Sequence, residues 1–295
     1  MQTPWGECDI ADAHVHFFSR RFFAALGEHC RLPADQVAAQ LNWELPPDDP
    51  TELARVWKGE LDSHGVARAA LIASVPEDEA STMAATAAYP DRFFAFAMIN
   101  PWVEHAEVVK GLHAICLFPA MHLYSIQDKR VEVLLEQAGA HRCAVFVHCG
   151  VLSVGVRKKL GLPSPFDMRY SNPIDLHAVA LRHPNVRFIV PHFGAGYFRE
   201  ALMLADLCPN VYLDTSSSNS WMRYEGLDLP TVFKRALGVV GPNRLLFGSD
   251  SSFFPRGWNH EILAAQIRAL QELKIGGVDA RQILGGNLRR VLMEF

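Results

Sequence analysis

Short apolar runs alternate with amphipathic stretches along almost the whole chain. The apolar runs cover residues 8–16, 66–74, 93–100, 112–119, 144–149, 186–192, 211–215 and 245–250. Near-continuous apolar runs of this length predict strands buried on both faces, as in a parallel sheet covered by helices. Helices are predicted at 22–26, from an N-cap at Thr51 to 64, and at 77–89, 103–110, 128–141, 173–183, 196–207, 230–240, 258–273 and 279–293. Residues 31–50 and 150–172 read as irregular. Eight strand–helix units in 295 residues predict a (β/α)8 TIM barrel, an α/β fold, as one domain over residues 1–295. There is no internal repeat or linker, and no G-x-G-x-x-G follows the first strand, which argues against an open dinucleotide-binding sheet.

Composition narrows the function classes. Hydrophobic residues make up 49% and charged residues 20%, as in an ordinary globular enzyme domain. The net charge of −4 supplies no basic field for nucleic acid or anionic membrane. No apolar run approaches the roughly 20 residues of a membrane span. The first residues lack the pattern of a secretion signal, so a cytoplasmic location is expected. Cysteines 8, 30, 116, 143, 149 and 208 contain no C-x-x-C pair and are expected to be free thiols.

In such a barrel, chemistry gathers at the C-terminal ends of the strands. His14 and His16, two apart on a strand, face the same side. His148 closes the fifth strand, His192 the sixth and Asp250 the eighth. Five metal-competent side chains therefore reach one rim from distant parts of the chain. The bland alternative is a set of buried structural histidines, with Asp250 as a helix cap.

The segments Asp12-Ala13-His14-Val15-His16, Phe146-Val147-His148, Pro191-His192-Phe193-Gly194-Ala195-Gly196, Leu246-Phe247-Gly248-Ser249-Asp250 and Leu284-Gly285-Gly286-Asn287 occur in that order. With them the chain resembles the amidohydrolase superfamily, in particular its amidohydrolase-related branch. The resemblance implies a divalent metal ion held by His14, His16, His148 and Asp250. Binuclear members carry a lysine or glutamate at the end of strand four; residues 112–119 offer neither, so one ion is expected. Zinc is the first expectation, with manganese or iron open. Asp250 would also serve as general base toward a metal-activated water. His192 would sit beside that water and polarise the substrate, although it could also ligate or be structural. Asp12, on the same side of the strand but deeper, would be a partner behind the ligands or a buried structural aspartate.

Candidate substrate contacts are His122, Tyr124, Arg157, Arg169, Arg199 and Trp221, any of which could equally be a surface group. An arginine at the mouth would suit a carboxylate. Ser216, Ser217 and Ser218 could donate hydrogen bonds at the rim, and Phe17-Phe18 and Phe253-Phe254 could line the pocket or a dimer face. The expected activity is metal-dependent hydrolysis of an amide, lactone or ester carbonyl in a small substrate. The alternatives are non-oxidative decarboxylation of an aromatic or unsaturated acid, and a barrel without catalysis. The expected partner is a small molecule, with a homo-oligomer left open.

Overall fold

Eight strands run parallel and pair in chain order: β1 (Ile10–Phe17), β2 (Val66–Ala73), β3 (Phe93–Met98), β4 (Ala114–Leu117), β5 (Ala144–Val147), β6 (Phe188–Val190), β7 (Val211–Asp214) and β8 (Leu245–Leu246). The computed structural model describes residues 1–294 except 104–108, 153 and 165. The two edges of the sheet meet beyond β8. Ala13 N–H donates to Phe247 O at 2.8 Å, Asp250 N–H to His14 O at 2.9 Å and His16 N–H to Ser251 O at 2.7 Å. These bonds close the predicted barrel. A small antiparallel hairpin, Gln2–Thr3 with Gly6–Glu7, precedes it.

Two apolar layers share the strands. Ala13, Ile72, Phe96, Cys116, Phe146 and Ile189 fill the interior, whereas Val15, Leu71, Ala95, Ile115, Val147 and Leu213 pack in the outer layer with the helices. Both faces are buried, hence the apolar runs. On β1 the alternation slips, because the register with β2 shifts between Asp12 and Val15. Ala13 faces inward and Val15 outward across that slip. Asp12 consequently turns to Trp258, a member of the outer layer, and does not share a face with the histidines as strict alternation would have it.

Side-chain caps set the start of several helices. In α3 (Pro50–Ser63) the cap is Asp49, not Thr51: Pro50 occupies the first turn and Asp49 accepts the Thr51 N–H at 2.8 Å. Asp128 caps Lys129–His141 by accepting the Arg130 N–H, and the helix buries Val131, Leu134, Leu135 and Ala138. The stretch 31–50 is not wholly irregular; it contains α2 (Ala34–Leu41), which follows α1 (Arg20–Cys30). Within 150–172 lie a short helix, Gly155–Lys159, and a 3-10 turn, Met168–Tyr170. These pieces pack as a satellite core of Phe22, Phe23, Val37, Leu41, Val156 and Leu160. The helix expected at 103–110 falls largely outside the described residues. The last helix passes through a π-turn at Gln282–Gly286 before Asn287–Met293. All six cysteines are free, and no described helix is long and apolar enough to cross a membrane.

Candidate metal centre

Each histidine of the H-x-H pair has one ring nitrogen committed to an orienting group. His14 Nδ1 lies 2.7 Å from Asp214 Oδ2, at the last residue of β7. His16 Nδ1 lies 2.7 Å from Ser74 Oγ, just past β2. The other nitrogens converge: His14 Nε2 is 3.7 Å and His16 Nε2 3.2 Å from Asp250 Oδ1. One ligand atom from each of these three residues lies within 4.8 Å of the others, a candidate His-His-Asp metal site. Imidazoles fixed through one nitrogen and free at the other are the donors a divalent ion requires. Exposure rises from 2% at His14 to 21% at His16 and 33% at Asp250, so the cluster is approached from the Asp250 side.

Backbone geometry holds the carboxylate in place. Asp250 adopts φ 61°, a left-handed conformation that costs a non-glycine residue about 1–2 kcal/mol. Its N–H bond to His14 O resists relaxation, and so does Asp12. Asp12 accepts the Ser249 N–H at 3.0 Å, the Ser249 hydroxyl, the His14 N–H at 2.9 Å and the Trp258 Nε1–H at 2.7 Å. It therefore clamps the backbones of β1 and the β8 extension together behind the ligands.

His192 and His148 lie further round the rim. The His192 ring is 4.9 Å from that of His14, and His148 is 5.5 Å from His192. Ser216 Oγ connects the first pair, at 3.0 Å from His14 Nδ1 and 2.9 Å from His192 Nδ1. His148 stacks on Phe118 with centroids 5.4 Å apart, and its buried Nδ1 has no hydrogen-bond partner among the described residues. Thus the structure gathers His14, His16 and Asp250 most tightly and places His148 beside His192. Cys149 packs in the outer layer, on the opposite side from His148.

The electrostatics suit a cation. Burial pushes the His148 pKa well below its ordinary value, and nearby His192 and His14 add to that, so this ring stays neutral. Burial likewise lowers His16 and His192. Burial alone would depress His14 too, but Asp214, Asp250 and Asp12 reverse the sign and raise it. Burial would raise Asp250, yet the His16 hydrogen bond and the charges of His14 and His192 hold it well below the carboxylate range. Asp12, enclosed completely, is pushed up to about 6 by burial.

The expected substrate contacts scatter. Arg169 (82% exposed) and Arg199 (80%) stand in local ion pairs with Asp167 and Glu200. Arg157 Nε donates to Pro163 O, and its Nη1 meets His29 Nδ1. Trp221 is buried against Phe198, its ring N–H taken by Asn219 Oδ1. His122 and Tyr124 follow β4 and place two buried polar atoms, Nδ1 and the phenol oxygen, without partners among the described residues. Burial lowers His122 to about 4. Phe18 and Phe253 line one pocket with Trp57 and Leu53, and Phe18 lies 5.5 Å from the His16 ring.

Asp214, Ser74 and Arg256 were not among the sequence candidates. The signal for Asp214 was its place at the end of the seventh strand, on the same rim as the histidines. Arg256 Nη2 donates to Asp250 O at 3.2 Å and to Ser252 Oγ at 2.8 Å.

Known proteins share this architecture. The chain is 34% identical to protein fluG of Emericella nidulans over 85 residues, which is 29% of this chain and only 10% of that protein. Among solved structures, 5-carboxyvanillate decarboxylase LigW from Sphingomonas paucimobilis superposes with TM-score 0.63 at 14% identity, covering 97% of this chain and 99% of its own. A Pseudomonas putida protein provisionally named 2-pyrone-4,6-dicarboxylic acid hydrolase gives 0.61 at 18% identity, covering 97% and 98%. A zinc-bound amidohydrolase from Burkholderia multivorans gives 0.61 at 14% identity, covering 96% and 98%. At these identities the likeness establishes the barrel alone. The amidohydrolase family model, however, matches residues 11–293, and the chain belongs to that family.

Proposed function

We propose that this protein is a metal-dependent hydrolase acting on an amide, lactone or ester carbonyl of a small substrate. The observation that carries the reading is the convergence of His14 Nε2 and His16 Nε2 on Asp250 Oδ1, at 3.7 and 3.2 Å. In it, His14, His16, Asp250 and His148 hold one divalent ion, with zinc the first candidate. When bound, such an ion polarises a carbonyl oxygen and brings the pKa of water toward about 7. Asp250, kept ionised by its histidine neighbours, takes the proton from the attacking water. It then returns that proton to the leaving oxygen or nitrogen. The His192 ring lies 4.9 Å from that of His14. The Ser216 hydroxyl donates to Asp214 Oδ2 at 3.0 Å, so His192 Nδ1–H donates to Ser216 Oγ at 2.9 Å or Ser216 O at 3.3 Å, and its Nε2 is left as an acceptor for a proton from water or substrate.

A second reading is favoured by the rings around the site. Phe146 lies 5.3 Å from His14, Phe18 5.5 Å from His16 and Phe118 5.4 Å from His148. Such walls suit a planar aromatic acid, and the same groups could then support decarboxylation. The bond to the carboxyl carbon would break, CO2 would leave, and Asp250 or His192 would return a proton to carbon.

The test is elemental analysis of the purified protein followed by assay of the zinc- and manganese-loaded forms. The panel comprises lactones, amides and esters on one side and hydroxybenzoic acids on the other. Hydrolysis that is lost in Asp250→Asn supports the first reading; CO2 release with no hydrolysis supports the second. No bound metal and no turnover on either set would remove both.

A further inference from the structure

We propose that Gln266, on the helix His260–Glu272, is a positioning residue that ties the ends of β7 and β8 together and so sets the spacing of the metal ligands. This rests on the metal-dependent reading above and adds to it a residue that touches none of the ligands.

The helix buries Leu263, Gln266, Ala269 and Leu270. Leu263, Ala269 and Leu270 belong to the outer apolar layer, and Gln266, 1% exposed, is the polar member of the four. A buried amide is costly unless its oxygen and both its hydrogens find partners. Gln266 has all three. Its Oε1 accepts the Thr215 hydroxyl at 2.7 Å, and its Nε2 donates to Thr215 O at 2.9 Å and to Gly248 O at 3.3 Å. These partners fix the amide's orientation, because the reversed amide would turn Oε1 toward two carbonyl oxygens. Thr215 O also accepts the Asn219 Nδ2 hydrogen at 3.2 Å.

The bonds fall where the sheet itself stops holding. β7 ends at Asp214 and β8 at Leu246. The Thr215 N–H still reaches Leu246 O at 2.9 Å, but among the described residues no further backbone bond joins the two chains. Gln266 stands in for the next rung. What it joins is the cluster's own support. Thr215 stands between Asp214, 2.7 Å from His14 Nδ1, and Ser216, 2.9 Å from His192 Nδ1. Gly248 comes two residues before Asp250, and a Cβ on it would fall 3.0 Å from His14 Cβ. One amide thus links the segment that aims two histidines to the segment that delivers the carboxylate. Asp12 ties the same β8 extension to β1 through the Ser249 and His14 N–H groups, so the extension is held on both sides. Ligands kept to within about 0.5 Å of a productive geometry require such support behind them.

The test uses the cobalt-loaded protein. Gln266→Met keeps the length and apolar bulk of the side chain but leaves the Thr215 hydroxyl and Gly248 O without their partner. A double variant, Gln266→Met with Thr215→Val, also removes that hydroxyl and should recover part of the lost melting temperature. Leu134→Ala, in the helix Lys129–His141, is a buried control that should melt lower without touching the site. In both Gln266 variants cobalt affinity, read by competition with a chelating dye, should fall about tenfold or more, and the visible d–d bands should shift. Leu134→Ala should keep both. Wild-type affinity and bands in Gln266→Met, their return in the double variant, or an equal loss in Leu134→Ala would overturn the assignment. A wild type that takes up no cobalt would remove the metal-dependent reading instead. The imidazole proton–nitrogen signals of His14 and His192 in the chelator-treated proteins then decide. Displaced in Gln266→Met but not in Leu134→Ala, they support the tie; unmoved, they overturn it.

Discussion

Asp214 Oδ2 lies 2.7 Å from His14 Nδ1, joining the end of the seventh strand to the centre of the first. Both side chains are buried, at 0% and 2% exposure, so the pair is shielded from solvent and salt. The carboxylate fixes the ring so that Nε2 faces Asp250. Asp214→Asn keeps the size but removes the charge that makes His14 a better donor. Metal affinity should fall about 10–100-fold, read by competition with a chelating dye. Wild-type affinity in this variant would show that the contact orients nothing.

Much of this centre was legible before any coordinates, for a physical reason. A strand buried on both faces must be apolar, so a histidine at its end is conspicuous, as His148 is after Ala144–Val147. Asp214 is equally placed but is one of 32 acidic residues, and a carboxylate after an apolar strand is easily taken for a turn residue. The helix Ala34–Leu41 has Val37, Ala38 and Leu41 at helical spacing, but it is short and enclosed by prolines. Asp12 illustrates a different limit. Its neighbours depend on a register slip in β1, which no residue pattern announces. Arginine identity carries still less, since Arg169 and Arg256 are the same residue type, and only folding of the loops brings one of them to Asp250.

Gly248 shows how closely the ligands are braced. A Cβ there would lie 2.6 Å from Asp214 Oδ1, 2.8 Å from Ser216 Cβ and 3.0 Å from His14 Cβ. Gly248→Ala should therefore displace the groups that aim His14. Overpacking of this kind costs about 1–3 kcal/mol, so thermal stability and metal affinity should fall together. A variant with wild-type melting and metal content would contradict the packing described.

His148 and His192 should separate by experiment. His148→Ala, removing a neutral buried imidazole, is expected to abolish stoichiometric metal binding. His192→Asn is expected to keep the metal and lose kcat about 100-fold or more, as for a proton-transfer or polarising group. The readout is metal content against kcat for each variant, once a substrate is in hand. Metal loss in His192→Asn with retention in His148→Ala would exchange the two roles.

Asp78 offers a pH signature away from the centre. Its carboxylate accepts the Ser19 hydroxyl at 2.6 Å and is 6% exposed. Burial raises its pKa from 3.8 to about 6, against the opposing hydrogen bonds of Ser19 and Ser81. Between those values the folded chain holds a proton that the unfolded chain has released. Stability from this group is thus complete below about pH 4 and declines as pH rises to about 6. At 1.36 kcal/mol per pH unit, the decline is about 2–3 kcal/mol. Asp78→Asn cannot titrate and keeps an acceptor for Ser19. Urea unfolding of both chelator-treated proteins from pH 4 to 7.5 should therefore show the variant gaining on wild type by that amount across the window, with the difference level above pH 7. Parallel curves throughout would mean that Asp78 titrates in the folded protein as it does in the unfolded chain.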